Sequence, residues 1–292
     1  MIFPFIKSAG TLRLWVFFIV IGNLVACTNT KTTPPLSRAL STPLAQGKQL
    51  FSQEHVKEAE FIFSQALQKD PQQPEILNAR GFLYAKQKMW GKAINDFEQV
   101  VLLDPKTLRY SENLGIAYLE AGSPEKSLKY FSQVLQQSPN SPATLNHRGL
   151  AFSQLGRLQY AIRDFSRSLD INDHNSEVYL NRAVAFIKTG RNVEAKLDLD
   201  HAIKLNHDLH QAHESRGLLS LKNGEIRSAI QDFTTAIRLG SDGGLVHYNH
   251  GVALSMVGDF EQAEKEFDMA CKRHIFQACR TTMQPKPVMR TL

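Results

Sequence analysis

Apolar residues recur along most of the chain at the three- and four-residue spacing of amphipathic helices. The pattern also repeats on a longer scale, because an alanine followed four positions later by Phe or Leu recurs at steps of 34 residues or a multiple of 34. The alanines of this series are Ala59, Ala93, Ala161, Ala195, Ala229 and Ala263, and Ser127 takes the same place in the remaining unit. The sequence therefore predicts seven helical units of equal length.

Numbering Leu40 as position 1 divides residues 40–277 into seven units without insertions or deletions. The units are 40–73, 74–107, 108–141, 142–175, 176–209, 210–243 and 244–277. Position 8 is Gly except for Ala183, position 24 is Phe except for Leu199, position 15 is Gly in the last five units, and position 32 is Pro in the first three. A glycine between two amphipathic runs is typical of a left-handed helix end, so each unit is predicted to be a pair of helices. Such units bury their apolar faces only by stacking, and the predicted fold class is an all-α solenoid.

These columns resemble the tetratricopeptide repeat over residues 40–277. The resemblance implies a right-handed superhelix whose inner surface is formed by positions 2, 5, 9, 12 and 13 of the first helices. It also implies a role in protein–protein interaction.

Position 9 of the first helices is apolar in six of the seven units, where this family often has Asn. Together with nearby polar residues it predicts a partner-binding groove with an apolar floor. The candidate groove residues are Asn78, Phe82, Arg109, Glu112, Ile116, Asn146, Leu150, Val184, Leu218 and Val252. The alternatives are that position 9 belongs to the core between the helices, or that the superhelix closes over it.

Positions 7 and 23 vary together. Arg at position 7 occurs with Asp at position 23 in the second, fourth, fifth and sixth units, whereas the first and third units have neither. Co-variation of opposite charges predicts contact, so we expect structural ion pairs between the two helices of a unit. Duplication of an ancestral unit is the alternative explanation. The pairs are Arg80 with Asp96, Arg148 with Asp164, Arg182 with Asp198, and Arg216 with Asp232.

The N-terminus has the pattern of a secretory signal peptide over residues 1–26, with Lys7 and Arg13 before an apolar stretch from Leu14 to Ala26. Leu24-Val25-Ala26-Cys27 resembles the lipobox of bacterial lipoproteins, which implies lipid on Cys27. A plain signal peptide that contains Cys27 is the alternative. Residues 27–39 are then expected to form a lipidated polar tether. In Gram-negative lipoproteins a residue other than Asp after the cysteine goes with the outer membrane, so this resemblance implies an outer-membrane location facing the periplasm.

Cys271 and Cys279 lie eight residues apart and resemble the bridged cysteine pairs of secreted helical-repeat proteins. An oxidising periplasm favours a disulfide, and two buried free thiols are the alternative. Residues 278–292 are predicted to contain a capping segment followed by a disordered tail.

Composition and motifs exclude several functions. The net charge of +6 is scattered without a dense basic run, so nucleic acid is not an expected partner. The motifs of phosphate-binding loops, zinc proteases, serine hydrolases and dinucleotide-binding folds do not occur, so we predict no enzyme, no small-molecule substrate and no cofactor. His201, His207, His210 and His213 suggest a metal site, but His207 falls at a predicted helix break, and solvated or stacking histidines are favoured.

The predicted function is therefore a membrane-anchored periplasmic scaffold with protein partners, similar in plan to pilus-assembly pilotin lipoproteins of the tight-adherence and type IV systems. An adaptor for peptidoglycan enzymes and a glycan-binding solenoid are the alternatives. The sequence leaves a homo-oligomer open.

Overall fold

The computed structural model of the protein describes residues 42–282. The predicted signal peptide 1–26, the lipidation site Cys27, the tether 27–39 and the tail beyond residue 282 lie outside the described residues.

The described part of the chain folds into fifteen helices and contains no strand. In chain order they are α1 Pro43–Ser52, α2 Val56–Lys69, α3 Pro74–Lys86, α4 Trp90–Leu103, α5 Leu108–Glu120, α6 Pro124–Gln137, α7 Pro142–Gln154, α8 Leu158–Ile171, α9 Ser176–Lys188, α10 Asn192–Leu205, α11 His210–Lys222, α12 Ile226–Arg238, α13 Gly244–Met256, α14 Phe260–Lys272 and α15 Phe276–Thr282. Each predicted unit thus holds two helices, α1 and α2 to α13 and α14, and α15 follows the last unit. Among these helices none has the length and apolar character that a membrane span requires.

The helices stack in the order of the chain. Each helix packs mainly on the next one, and the first helices of several neighbouring units also contact one another. This pattern of contacts between near neighbours is that of a solenoid, as the sequence predicts.

The turn between the two helices of a unit lies at position 15. The five glycines there have positive φ angles, from +71° at Gly156 to +86° at Gly258. The first two units have Glu54 and Lys88 instead, and these residues adopt the same left-handed conformation with φ of 64° and 60°. The turn therefore has the same shape in the two units without glycine, although Glu54 and Lys88 are strained by a backbone conformation that glycine adopts freely.

The two helices of a unit approach closely where position 8 faces the ring at position 24. A Cβ atom added to Gly149 would lie 2.6 Å from Cε1 of Phe165, and the other five position-8 glycines are within 2.2–2.8 Å of their own phenylalanines in the same way. The ring therefore fills the space above the glycine of its own unit. The one unit with Ala183 has the smaller Leu199 opposite, and both residues are fully buried.

The second helices of the first five units end at the same position, 30, whether or not proline follows. In four of these units the side chain at position 31 accepts a hydrogen bond from the backbone N–H group two residues on, whereas the third unit has Ser138 there followed by Pro139. Oδ1 of Asp70, Asp104, Asn172 and Asn206 accepts from the backbone N–H groups of Gln72, Lys106, His174 and Asp208 at 3.0–3.2 Å. The position-32 proline thus reinforces a helix end that the side chain at position 31 also forms.

The C-terminal helix closes the last unit. Cys271 on α14 and Cys279 on α15 form a disulfide. Ala278 is fully buried, and Ile275 packs so tightly against Gly244 that an added Cβ would lie 2.6 Å from its Cγ1. The helix begins at Phe276, because His274 takes a left-handed turn with φ of 66° after α14 ends at Lys272.

Candidate functional site

The candidate site is the surface formed by the first helices of the units, which is the inner surface of a solenoid of this type. Position 9 places one apolar side chain from each of six consecutive first helices on it. We call this set the apolar row: Phe82, Ile116, Leu150, Val184, Leu218 and Val252.

The apolar row lies between core and solvent. Five of its members are half-buried and Leu218 is 40% exposed. Leu150 and Ile116 pack against buried core residues, and the rings of Phe82 and Phe97 meet edge to face at 5.4 Å. Both interpretations of position 9 therefore hold in part, since Phe82, Ile116, Leu150 and Val184 pack against the core and are also partly exposed to solvent.

Two of the predicted groove residues connect neighbouring units. Oδ1 of Asn78 accepts a hydrogen bond from Nδ2 of Asn113 at 2.9 Å, and Oδ1 of Asn146 accepts one from Nδ2 of Asn181 at 3.1 Å. In both cases position 5 of one unit meets position 6 of the next. These asparagines therefore fix the relative placement of the first helices.

Glu112 joins the third and fourth units in a similar way. Its Oε1 accepts a hydrogen bond from Oγ1 of Thr144 at 2.6 Å and lies 3.8 Å from Nδ1 of His147. Burial alone would raise the pKa of Glu112, but the contacts with His147 and Thr144 outweigh it, and the pKa is lowered. Arg109, the remaining polar candidate, is exposed, and its guanidinium carbon lies 5.8 Å from the centre of the Tyr110 ring.

Three further glutamates belong to the first helices. Burial raises the pKa of Glu120 on α5, Glu177 on α9 and Glu214 on α11. Nearby His147 acts against this effect at Glu120 and Glu177, and a hydrogen bond from Ser241 does so at Glu214. The inner surface therefore combines the apolar row with the half-buried carboxylates of Glu112, Glu177 and Glu214, whereas Glu120 is exposed.

The residues at positions 7 and 23 meet in all four predicted pairs. In each pair Nε and Nη2 of the arginine donate to the two carboxylate oxygens of the aspartate at 2.6–2.9 Å. The pairs are Arg80 with Asp96, Arg148 with Asp164, Arg182 with Asp198, and Arg216 with Asp232. The aspartates are buried and the arginines half-buried, so each carboxylate depends on its partner for charge compensation.

Three of these arginines also form a hydrogen bond with the preceding unit, which the comparison of columns within a unit did not predict. Nη1 of Arg80 donates to Oγ of Ser64 at 3.2 Å, and Nη1 of Arg182 donates to Oγ of Ser166 at 3.0 Å. Nη1 of Arg216 likewise donates to a carboxylate of the preceding unit, on Asp200, at 2.7 Å. These partners all occupy position 25. The polar residues at position 25 were the sequence signal from which this contact between units could have been predicted.

The seventh unit replaces the arginine with a histidine pair. His247 Nδ1 lies 2.6 Å and His250 Nδ1 3.3 Å from the carboxylate of Glu266. Burial would raise the pKa of Glu266, but its contacts with His250 and His247 outweigh it, and the pKa is lowered. His250 also keeps the contact with position 25, since its Nε2 lies 3.3 Å from Oγ1 of Thr234.

The four clustered histidines have different surroundings, although Nε2 of His213 lies 3.3 Å from the backbone carbonyl oxygen of His207. His210 is half-buried, and burial lowers its pKa. His201 stacks on Tyr179 with 5.3 Å between the ring centres, and His207 is exposed. His213 is buried with Nδ1 3.2 Å from Asp232, so it is neither solvated nor stacked as expected. Within residues 42–282, no group of three His, Cys, Asp or Glu residues is placed to hold a metal ion.

Comparison with known proteins supports the fold. The family profile described as tetratricopeptide repeat matches residues 83–142 and 215–278. A crystal structure of a tetratricopeptide repeat protein from Parabacteroides merdae is similar with a TM-score of 0.69 at 20% identity, covering 85% of this chain and 100% of that one. No curated protein matches the sequence.

Two other solved structures have the same fold. PilF of Pseudomonas aeruginosa has a TM-score of 0.62 at 14% identity, and the match covers 70% of this chain and 96% of PilF. YrrB, described as a tetratricopeptide repeat protein with an unusual peptide-binding site, has a TM-score of 0.52 at 18% identity, covering 60% of this chain and 90% of YrrB. At these identities the similarity concerns the fold.

Proposed function

We propose that the inner surface of this tetratricopeptide-repeat solenoid binds a segment of a partner protein. The observation that carries the proposal is the apolar row, which presents a half-exposed side chain at the same place in six successive units. Removing such surface from water is favourable by about 25 cal/mol per Å². A segment lying along the row would gain a similar contribution from each unit that it crosses.

The rigidity of the surface supports the same proposal. Hydrogen bonds between neighbouring units hold the first helices in a fixed relative placement, as in the contacts of Asn78 with Asn113 and of Asn146 with Asn181. A surface that is already in its binding geometry loses little conformational freedom when a ligand binds. The structural similarity to YrrB, a protein described as having a peptide-binding site, is consistent with this function.

A pair of substitutions tests the groove. Phe82→Glu with Leu150→Glu places two charges in the apolar row and is expected to abolish retention of the native partner. The matched control is Leu102→Glu with Leu197→Glu on the second helices, where the side chains are 85% and 57% exposed. Unchanged retention by the folded groove variant, measured beside an unchanged circular dichroism spectrum, would contradict the proposal.

We propose in addition that lipid on Cys27 anchors the protein to the periplasmic side of the outer membrane. The support is the sequence pattern from Leu14 to Cys27. Several acyl chains on one residue hold a protein firmly in a bilayer, whereas one chain alone is marginal. Metabolic labelling with radioactive palmitate is expected to mark the protein and to fail with Cys27→Ser. Labelling of the variant would refute the anchor.

The finer role that we propose is assistance in the assembly of an envelope complex, a pilus or a secretion machine. Crosslinking from the native membrane followed by mass spectrometry tests it. Recovery of a secretin supports this role, whereas recovery of a murein hydrolase replaces it with that of an adaptor for peptidoglycan enzymes.

A further inference from the structure

The carboxylates of the inner surface indicate what kind of segment would bind there. Glu112 and Glu120 lie on α5, Glu177 on α9 and Glu214 on α11. The first three of these glutamates lie on α5 and α9, the first helices that precede and follow α7, which bears His147. Glu112 is 3.8 Å from Nδ1 of His147, and the ring also influences Glu120 and Glu177 electrostatically.

Within residues 42–282, the carboxylates of Glu177 and Glu214 are not paired with a lysine or arginine, whereas Glu112 already contacts Thr144 and His147. Glu177 and Glu214 are half-buried, and burial raises the pKa of both. Lys188 and Lys222 also lie on these helices, at position 13, but both are exposed near the helix C-termini. A carboxylate partly withdrawn from water and without a counter-ion is a place where a ligand cation gains more than it does at an open surface.

The apolar row runs beside the carboxylates. Glu177 lies seven residues before Val184 on α9, and Glu214 lies four residues before Leu218 on α11, so each carboxylate shares a helix face with a member of the apolar row. A ligand that crosses these units therefore meets apolar edges and negative charges in alternation.

The spacing of the units sets the spacing of the ligand. Packed helices lie about 8–10 Å apart, and an extended segment advances about 3.1 Å per residue in the polyproline II conformation. Successive units are thus about three residues apart along such a segment. Glu177 and Glu214 belong to adjacent units, and Glu112 lies two units before Glu177.

We infer that the inner surface binds an extended cationic segment of a partner protein, with apolar residues and Lys or Arg each recurring about every third residue. This inference rests on the function proposed above and names the chemistry of the partner. Its ammonium or guanidinium groups pair with Glu177 and Glu214, while its apolar side chains cover the apolar row.

Fluorescence anisotropy with three labelled peptides and the full-length protein tests this inference. The probes are four repeats of Leu-Ser-Lys, of Leu-Ser-Gln and of Leu-Ser-Glu. The cationic probe is expected to bind most tightly, with an affinity that falls as salt rises. Glu177→Gln with Glu214→Gln should weaken its binding by roughly tenfold per carboxylate and leave the Leu-Ser-Gln probe unchanged.

Matched charge changes on the second helices provide the control. Glu58→Gln with Glu125→Gln removes the same charge from exposed positions and should leave the affinity for the cationic probe unchanged. An equal loss of affinity in both double variants would show that the effect comes from the net charge of the protein, and it would overturn the inference.

The remaining outcomes separate the two proposals. If all three probes bind with similar affinity and Leu150→Glu abolishes this binding, the groove is the binding site but its preference for a cationic segment is refuted. Binding of none of them contradicts both. A rise in affinity for the cationic probe after deletion of residues 283–292, which include Lys286 and Arg290 and no acid, would make the chain's own tail the occupant and refute a separate partner.

Discussion

The contact between position 8 and position 24 gives the sharpest test of how the units are built. In Gly149→Ala the new Cβ would lie 2.6 Å from Cε1, 2.8 Å from Cδ1 and 3.0 Å from Cζ of Phe165. Carbon atoms at van der Waals contact are about 3.5–4.0 Å apart. The Phe165 ring is fully buried, so it has no free space into which it can retreat.

Two effects of opposite sign decide the magnitude. Alanine favours a helix over glycine by about 1 kcal/mol. Overpacking a well-filled core costs about 1–3 kcal/mol, and the short distances put this site toward the upper end. We expect Gly149→Ala to destabilise the protein by about 1–2 kcal/mol. Phe165→Leu alone should also destabilise it, because the smaller side chain leaves a cavity.

The two substitutions together should cost less than the sum of their separate effects, because the fifth unit already has this combination as Ala183 with Leu199. Urea unfolding followed by circular dichroism measures all three variants and their coupling, which we expect to be about 1 kcal/mol or more. The control is Gly91→Ala, where an added Cβ meets nothing within 4 Å and the propensity gain should appear alone. Additive costs in the double variant would refute the packing argument.

Three further predictions concern charge and backbone. Asp164→Asn should destabilise the protein by about 3 kcal/mol in urea unfolding because it leaves Arg148 half-buried without its counter-ion, and a loss below about 0.5 kcal/mol would contradict this. Glu54→Gly should raise the free energy of unfolding by roughly 1 kcal/mol, since the left-handed turn strains a side chain there, and an unchanged urea midpoint would count against the strain. Burial raises the pKa of Glu214 in the folded state, so the folded protein holds this proton more tightly than the unfolded chain does. The stability gained from the protonated carboxyl is fully present below the unfolded-state pKa and is lost as pH rises through the folded-state pKa. Glu214→Gln should therefore raise the urea midpoint at pH 7 and lose this advantage near pH 4, whereas a constant difference would exclude ionisation as the cause.

Periodicity allowed the fold to be predicted, because one period of 34 residues runs through seven units without an insertion. Each column then has seven examples, and exceptions such as Ala183 with Leu199 are as informative as the rule. The ion pairs could be predicted for the same reason, since the two residues of a pair, such as Arg148 and Asp164, lie within one unit and change together from unit to unit.

Contacts between units were harder to predict. The third hydrogen bond of Arg182, to Ser166, links position 7 with position 25 of the preceding unit, and a comparison within units does not align these columns. The left-handed conformation of Glu54 and Lys88 was likewise invisible, because glycine was the signal for that turn. The contact of Glu112 with His147 depends on how the first helices of neighbouring units are placed side by side, which the stacking of the units determines.

Photo-crosslinking from the apolar row tests the central claim most directly. With p-benzoylphenylalanine in place of Leu150, irradiation of the native membrane should give an adduct with one segment of a partner protein, mapped by mass spectrometry. The same group in place of Leu197, which is 57% exposed on a second helix, should not give that adduct. Adducts to the same segment from both positions, or from Leu197 alone, would contradict the claim that the inner surface is the binding site.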